Sequence, residues 1–345
     1  MAKFEKNKQR LDYAAEIKKL NNEGAKHLYL LYGEEDYLRE MYLTKLRQLC
    51  LDGEGDDFNY KRLDGPVIDL GELDEAINAV PFFSEHTFVE VRGFDINACR
   101  EKDAERLKDI LSDIPDFCTV VFVIGVEYSL DGRLAAAKTI KKLGYAIEFT
   151  AQDSSKLTDW IAKRFAALGK TITRTNAEQL VFTSGSLMNR LIPEIEKIAS
   201  FATSSEITAE DIRATAQRIP EADVFEMTEL IGQGRYDKAM AILSELLHAK
   251  EHPIMLLALI GNQMRRLYAA KLAAKHGRSR DEIMELCSVT HSFIADKLIT
   301  AAKNYTLEQL EHILVICVDY DFRMKSGGDA EQLIKEFIAR IAGDV

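Results

Sequence analysis

The sequence predicts an α/β domain built on a parallel sheet, followed by all-α domains. Three observations lead there. Short apolar runs alternate with helix-period segments up to about residue 150, and strand-like runs almost vanish beyond it. At 345 residues the chain also exceeds one ordinary domain.

An amphipathic lead-in helix, with Leu11, Ala14, Ile17 and Leu20 near one face, precedes the first strand at 28–32. Further strands are expected at 59–63, 87–91, 119–124 and 146–149, with helices at 37–50, 69–80, 101–113 and 132–143 between them. Strands separated by helices make a parallel sheet. Cys118-Thr119-Val120-Val121-Phe122-Val123-Ile124 is apolar almost throughout, as a central strand buried on both faces must be. Helical patterns then run over 154–168, 175–183, 186–202 and 208–217, the last opened by the N-cap Thr208 and acidic residues. Pro220 separates this block from a longer helical one at 223–232, 235–248, 252–275, 279–286, 291–303, 306–324 and 329–342. Leu307, Leu310, Leu314 and Cys317 form the stripe of a packed helix. The division is 1–150, 151–219 and 220–345.

Composition narrows the function. A net charge of -11 argues against a dedicated nucleic-acid binder, although a local basic face stays open. The five cysteines are odd in number and never spaced Cys-x-x-Cys, so they read as buried thiols of a reducing cytoplasm. Met1-Ala2-Lys3-Phe4-Glu5-Lys6-Asn7 has no apolar signal-peptide core, and no run is long enough for a membrane span. The expected location is cytoplasmic, with no membrane partner.

The loop after the first strand is the most telling segment. Leu30-Leu31-Tyr32-Gly33 followed by a helix is the strand–loop–helix setting of a P-loop. A working loop needs glycines to wrap phosphates, a Lys, and a Ser or Thr for Mg²⁺. Here Gly33 is followed by Glu34, Glu35 and Asp36, which suit a helix N-terminus but repel a triphosphate placed there. The loop reads as a degenerate nucleotide site.

Other catalytic patterns fail. His248 and His252 stand at i, i+4 without the Glu of a zinc protease, and Pro253 interrupts the helix. Gly232-Gln233-Gly234 follows a helix rather than a strand, the wrong context for a dinucleotide. Thr87-Phe88-Val89-Glu90-Val91-Arg92 ends in a basic residue, and Ile124-Gly125-Val126-Glu127 is a poor metal-holding strand end. Arg265-Arg266 reads as a solvated helix face. No catalytic residue, metal ligand or cofactor is expected.

Ala79-Val80-Pro81-Phe82-Phe83-Ser84 stands out instead. Leu70, Leu73, Ile77 and Val80 form the apolar stripe of the preceding helix, which Pro81 stops. Two phenylalanines then occupy a helix-to-strand corner. Such a pair is more often core than contact. Neighbours at a corner cannot easily both point inward, however, and exposed they would anchor an interface.

These segments together resemble the δ subunits of bacterial DNA polymerase III, over about 28–341. The resemblance is carried by Leu30-Leu31-Tyr32-Gly33-Glu34-Glu35-Asp36-Tyr37-Leu38, by Pro81-Phe82-Phe83-Ser84 leading into Phe88-Val89-Glu90-Val91, and by Gly185-Ser186-Leu187-Met188-Asn189-Arg190-Leu191. Val224-Phe225-Glu226, Lys238 to Leu243 and Gln263-Met264-Arg265-Arg266-Leu267 add to it. It implies an AAA+-like protein with a RecA-like domain, a helical lid and a helical collar. It further implies a subunit that does not hydrolyse ATP, works beside γ/τ and δ′ subunits and primed DNA in the polymerase holoenzyme, and opens the β sliding clamp. By position, Phe82 and Phe83 would enter the clamp, with Leu73, Ile77 and Val80 bracing them. Lys325-Ser326-Gly327-Gly328 departs from the family's pattern, with Gly where some members place a Tyr that meets nucleic acid. Two alternatives stay open from the residues alone: an NTPase with an atypical loop, and a non-catalytic scaffold of a helical assembly.

Overall fold

The computed structural model describes residues 11–51, 56–126, 135–289 and 291–344. The first seven residues, Glu127 and the start of the helix expected at 132–143 lie outside them. The chain divides into two compact units. The first comprises Met1–Gln152 with Leu187–Asn189, and the second comprises Asp153–Ser186 with Arg190–Val345.

The first unit is a five-stranded sheet in the order β2-β3-β4-β1-β5. Its strands are β1 (Leu28–Tyr32), β2 (Tyr60–Asp64), β3 (Thr87–Arg92), β4 (Cys118–Ile124) and β5 (Tyr145–Glu148). Every pairing is parallel, with Leu30 opposite Phe122 on one side and Ala146 on the other. This is the expected RecA-like sheet. β4 holds the central position and is buried along its whole length, because both of its faces are covered. The helices of this unit are α1 (Tyr13–Glu23), α2 (Asp36–Cys50), α3 (Asp56–Asn59), α4 (Leu70–Asn78), α5 (Glu101–Ser112) and α6 (Ala135–Leu143). One core gathers Leu73 and Ile77 of α4, Leu107 and Leu111 of α5, Ile140 of α6, and Val89, Val120 and Phe122 of the sheet.

The chain leaves β1 for the β2 edge and leaves the adjacent β4 for β5 on the opposite side. Connections that part in this way open a crevice at the strand ends, where such sheets hold ligands. The Gly33–Asp36 loop lies at that point.

The second unit is helical, apart from the two-residue strands β6 (Thr171–Ile172) and β7 (Glu206–Ile207). Its first helices are α7 (Ser154–Ala167), α8 (Arg174–Ser184), α9 (Met188–Phe201, whose first two residues fold with the first unit) and α10 (Ala209–Thr215). They are followed by α11 (Pro220–Gly232), α12 (Tyr236–His248), α13 (Pro253–Lys275), α14 (Arg280–Leu286), α15 (Ser292–Ala301), α16 (Leu307–Lys325) and α17 (Ala330–Asp344). α13 is the axis of one core, with Leu256, Ile260, Met264 and Leu267 buried against Leu243, Leu298, Ile313 and Phe337. Two prolines play a different part from the one expected. Pro220 and Pro253 each stand in the first turn of a helix, where the missing N–H costs nothing and the fixed φ helps the turn to start. Among the described residues, no helix is long and apolar enough to cross a membrane.

Candidate functional site

Two places in the first unit gather the residues that the sequence singles out. The loop after β1 is the first. Gly33 takes φ 118°, and a Cβ placed there would lie 2.3 Å from the Phe149 carbonyl oxygen. Only glycine fits, yet the crowding atom belongs to the chain itself. The Phe149 N–H donates to Tyr32 O at 2.7 Å, and the Glu35 N–H donates to Phe149 O at 3.0 Å. An N–H that a phosphate site would aim outward is therefore bound to the chain's own backbone.

The charges in the loop are similarly engaged. The Arg39 guanidinium donates to Gly33 O at 2.7 Å and to Asp36 Oδ1 at 2.6 Å. Glu34 is exposed and accepts from the Ala151 N–H at 3.2 Å. Glu35 is wholly buried, 0% exposed, and its Oε2 accepts the Met188 N–H at 3.2 Å while Oε1 has no partner. Burial pushes the Glu35 carboxyl up to about 7, against the pull of the Met188 and Tyr37 N–H groups. An acid already sits where an anion would bind. At the end of β3, Arg92 is held by Glu40 at 2.8 Å and by Glu90 at 2.7 Å.

The second place is the corner between α4 and β3. Asp69 caps α4 by accepting the Gly71 N–H at 2.7 Å, and Leu70, Leu73, Ala76 and Ile77 bury one face of the helix. The helix stops at Asn78, and Ala79 is already extended. Val80 corrects the sequence expectation: it lies beyond the helix and is 81% exposed, so it does not continue the buried stripe. The cause is Pro81, which drives the residue before it out of helical conformation. Leu73 and Ile77 are both fully buried in the core of this unit.

Phe82 and Phe83 both face outward, 54% and 85% exposed, with ring centroids 4.4 Å apart in an edge-on arrangement. Phe83 has φ 51°, a left-handed conformation that costs a bulky residue of order 1 kcal/mol or more. Two further residues that no sequence pattern points to join this corner. Phe58, also exposed, meets the Phe82 ring at a tilt, 5.6 Å between centroids, and buried Asn59 hydrogen-bonds the Phe82 backbone. They stand at the end of α3, Asn59 lying 23 positions before Phe82, and nothing in their spacing ties them to the corner. Beyond the pair, the His86 ring meets Thr119 Oγ1 at 2.9 Å and fixes the chain where β3 begins.

In the second unit, His248 ends α12 and His252 caps α13, so the two do not share a helix face. Among the described residues, no group of three or more His, Cys, Asp or Glu could hold a metal ion. Val315, Val318 and Phe322 form an exposed apolar stripe on α16.

The arrangement offers an apolar, shape-defined surface and a sealed loop, and this combination suits binding. Residues 29–151 match the family described as DNA polymerase III, delta subunit, and residues 221–341 match DNA polymerase III delta subunit, C-terminal domain. The chain is 29% identical over 321 residues to DNA polymerase III subunit delta of Bacillus subtilis, across 90% of each chain. It is 23% identical over 322 residues to the probable DNA polymerase III subunit delta of Aquifex aeolicus, again across 90% of each. A solved structure of the Bacillus subtilis DNA clamp loader delta protein aligns with 96% of this chain and 99% of its own, at 25% identity and a TM-score of 0.47.

Proposed function

The chain belongs to the DNA polymerase III delta-subunit family, and from that premise we propose that it grips and opens the β sliding clamp without hydrolysing ATP. The observation that carries this reading is the outward pair Phe82 and Phe83 on the corner that follows α4, whose Leu73 and Ile77 are buried in the core. Exposed adjacent rings on a rigid support are what an interface anchor requires, and each such anchor contributes about 2 kcal/mol or more when buried by a partner. Only the share of that energy that favours an open clamp over a closed one drives opening.

The loop supports the second half of the proposal. A triphosphate at Gly33 would have to displace the Phe149 backbone and face three carboxylates. ATP use is thereby left to partner subunits. Residues 151–219 and 220–345 take the roles of lid and collar, and the α16 stripe of Val315, Val318 and Phe322 is an assembly face toward the γ/τ and δ′ subunits. Primed DNA is reached through the assembled complex.

The test is a binding titration of the full chain with the sliding clamp, beside the Phe82→Ala/Phe83→Ala double variant and a titration with ATP. Clamp binding by the wild type alone, with no saturable ATP binding, is the expected result. Specific ATP binding would favour an NTPase instead, and equal clamp affinity in both proteins would remove the Phe pair from the interface.

A further inference from the structure

We propose that Asn59 is the positioning residue of the Phe82–Phe83 corner and that Phe58 is its third docking ring, so that the free chain already holds the shape it binds with. This rests on the reading that the corner docks on the clamp.

The geometry supports a preformed element. Asn59 is buried, and its amide holds one residue of the corner at two points: Nδ2 donates to Phe82 O at 2.8 Å, and the Phe82 N–H donates to Oδ1 at 2.7 Å. A side-chain amide that satisfies both backbone groups of one residue acts as a short piece of sheet, and it fixes φ and ψ on either side. The next residue is Phe83 at φ 51°, a conformation a phenylalanine leaves unless something holds it. The two bonds to Phe82 are the hold immediately before it. Asn59 itself is anchored where α3 passes into β2, and β2 is paired with β3 along its length, Tyr60 opposite Phe88. The corner is thus tied to the sheet at a point 23 residues earlier in the chain, independently of α4.

Phe58 follows from the same anchor. It precedes Asn59, and its ring meets Phe82 at 5.6 Å, while Phe83 lies against Phe82 at 4.4 Å. All three rings are exposed, and Phe82 is in ring contact with both of the others. A ring in contact with both Phe58 and Phe83 has few orientations left. The entropy usually lost when an aromatic anchor is immobilised is therefore already spent in the free chain. The fitting partner surface is an apolar pocket broad enough for three rings rather than for two.

The test uses the full chain with the sliding clamp and three single variants, Asn59→Ala, Asn59→Asp and Phe58→Ala, beside the Phe82→Ala/Phe83→Ala control. Amide hydrogen exchange at Phe82 and Phe83 is followed in the free chain. Asn59→Asp keeps an acceptor for the Phe82 N–H but sets an oxygen against Phe82 O. Both Asn59 variants should weaken clamp binding about tenfold or more. Both should speed exchange at Phe82. Asn59→Ala should leave the melting temperature near the wild-type value, which separates a positioning role from general stability, whereas Asn59→Asp, which buries a charge, should also lower it. Phe58→Ala should weaken binding to a similar degree with exchange unchanged. Wild-type affinity and slow exchange in Asn59→Ala, with the double Phe control defective, would overturn the positioning role. Wild-type affinity in Phe58→Ala would remove the third ring. If the double Phe control also bound normally, the docking reading itself would fall.

Discussion

Gly33 and Phe149 meet backbone to backbone, so closely that a Cβ on Gly33 would stand 2.3 Å from the Phe149 carbonyl oxygen. This contact seals the crevice at the end of β1 with the chain's own strand exit. The loop after β1 is held here by the chain's own backbone.

Gly33→Ala should consequently be among the most damaging single-methyl changes in the chain. It combines a backbone clash with φ 118°, where side chains are rarely tolerated. A loss of more than about 3 kcal/mol is expected, within the class of strained-backbone substitutions. Urea unfolding of wild type and variant measures it.

Glu35 makes stability depend on pH in a stated direction. Its carboxyl is raised from 4.5 to about 7 by burial, so the folded chain holds a proton that the unfolded chain releases. The stabilisation is complete below about pH 4.5 and is lost as pH rises through about 7. Glu35→Gln should flatten this part of the profile. Above pH 7 it should be more stable than wild type by up to about 3 kcal/mol. Denaturant titrations at pH 5 and pH 8 in both proteins decide it, and parallel profiles would refute it.

At the corner, stability and binding should move in opposite directions. Phe83→Gly relieves the left-handed strain and removes a ring that is 85% exposed. It should leave stability unchanged or raise it by up to about 1 kcal/mol, while clamp affinity falls tens of fold. Calorimetric melting beside a clamp titration reads both quantities.

Leu73→Ala should act in the contrary sense. The side chain is fully buried in the core beneath α4, so its loss should cost about 2–5 kcal/mol of folding stability. Clamp binding should weaken only as far as the corner loses its support. Chemical unfolding and clamp affinity, measured on the same preparation, separate the two effects.

On α16, Val318→Asp with Phe322→Asp should prevent assembly with the other loader subunits and leave clamp binding intact. Both residues are exposed, so folding should change little. Co-elution with γ/τ and δ′, beside a clamp titration, checks the separation.

Much of the fold was legible because burial leaves a regular trace in sequence. The apolar run 118–124 became the central strand, and each of the other four strands was found within a residue of its position. Proline was harder to read, because one residue type both ends and starts helices: Pro81 follows the end of α4, whereas Pro220 and Pro253 open new helices. Val80 was misplaced for the same reason, since its spacing fitted the stripe but the backbone before Pro81 did not. Phe82 and Phe83 could be read as a corner. Asn59 could not be tied to them, because a hydrogen bond across 23 residues leaves no period in the chain.

The left-handed turn at Phe83 has a consequence for selectivity. Three uncovered rings are adhesive toward many apolar surfaces, and adhesion alone would make the free chain indiscriminate. A ring held in a backbone conformation it would not choose projects along a direction that ordinary turns seldom offer. A stray apolar patch meets such a ring at the wrong angle, whereas a pocket shaped for it accepts it without adjustment. On the proposed docking, the strain at one φ angle would act as discrimination between partners.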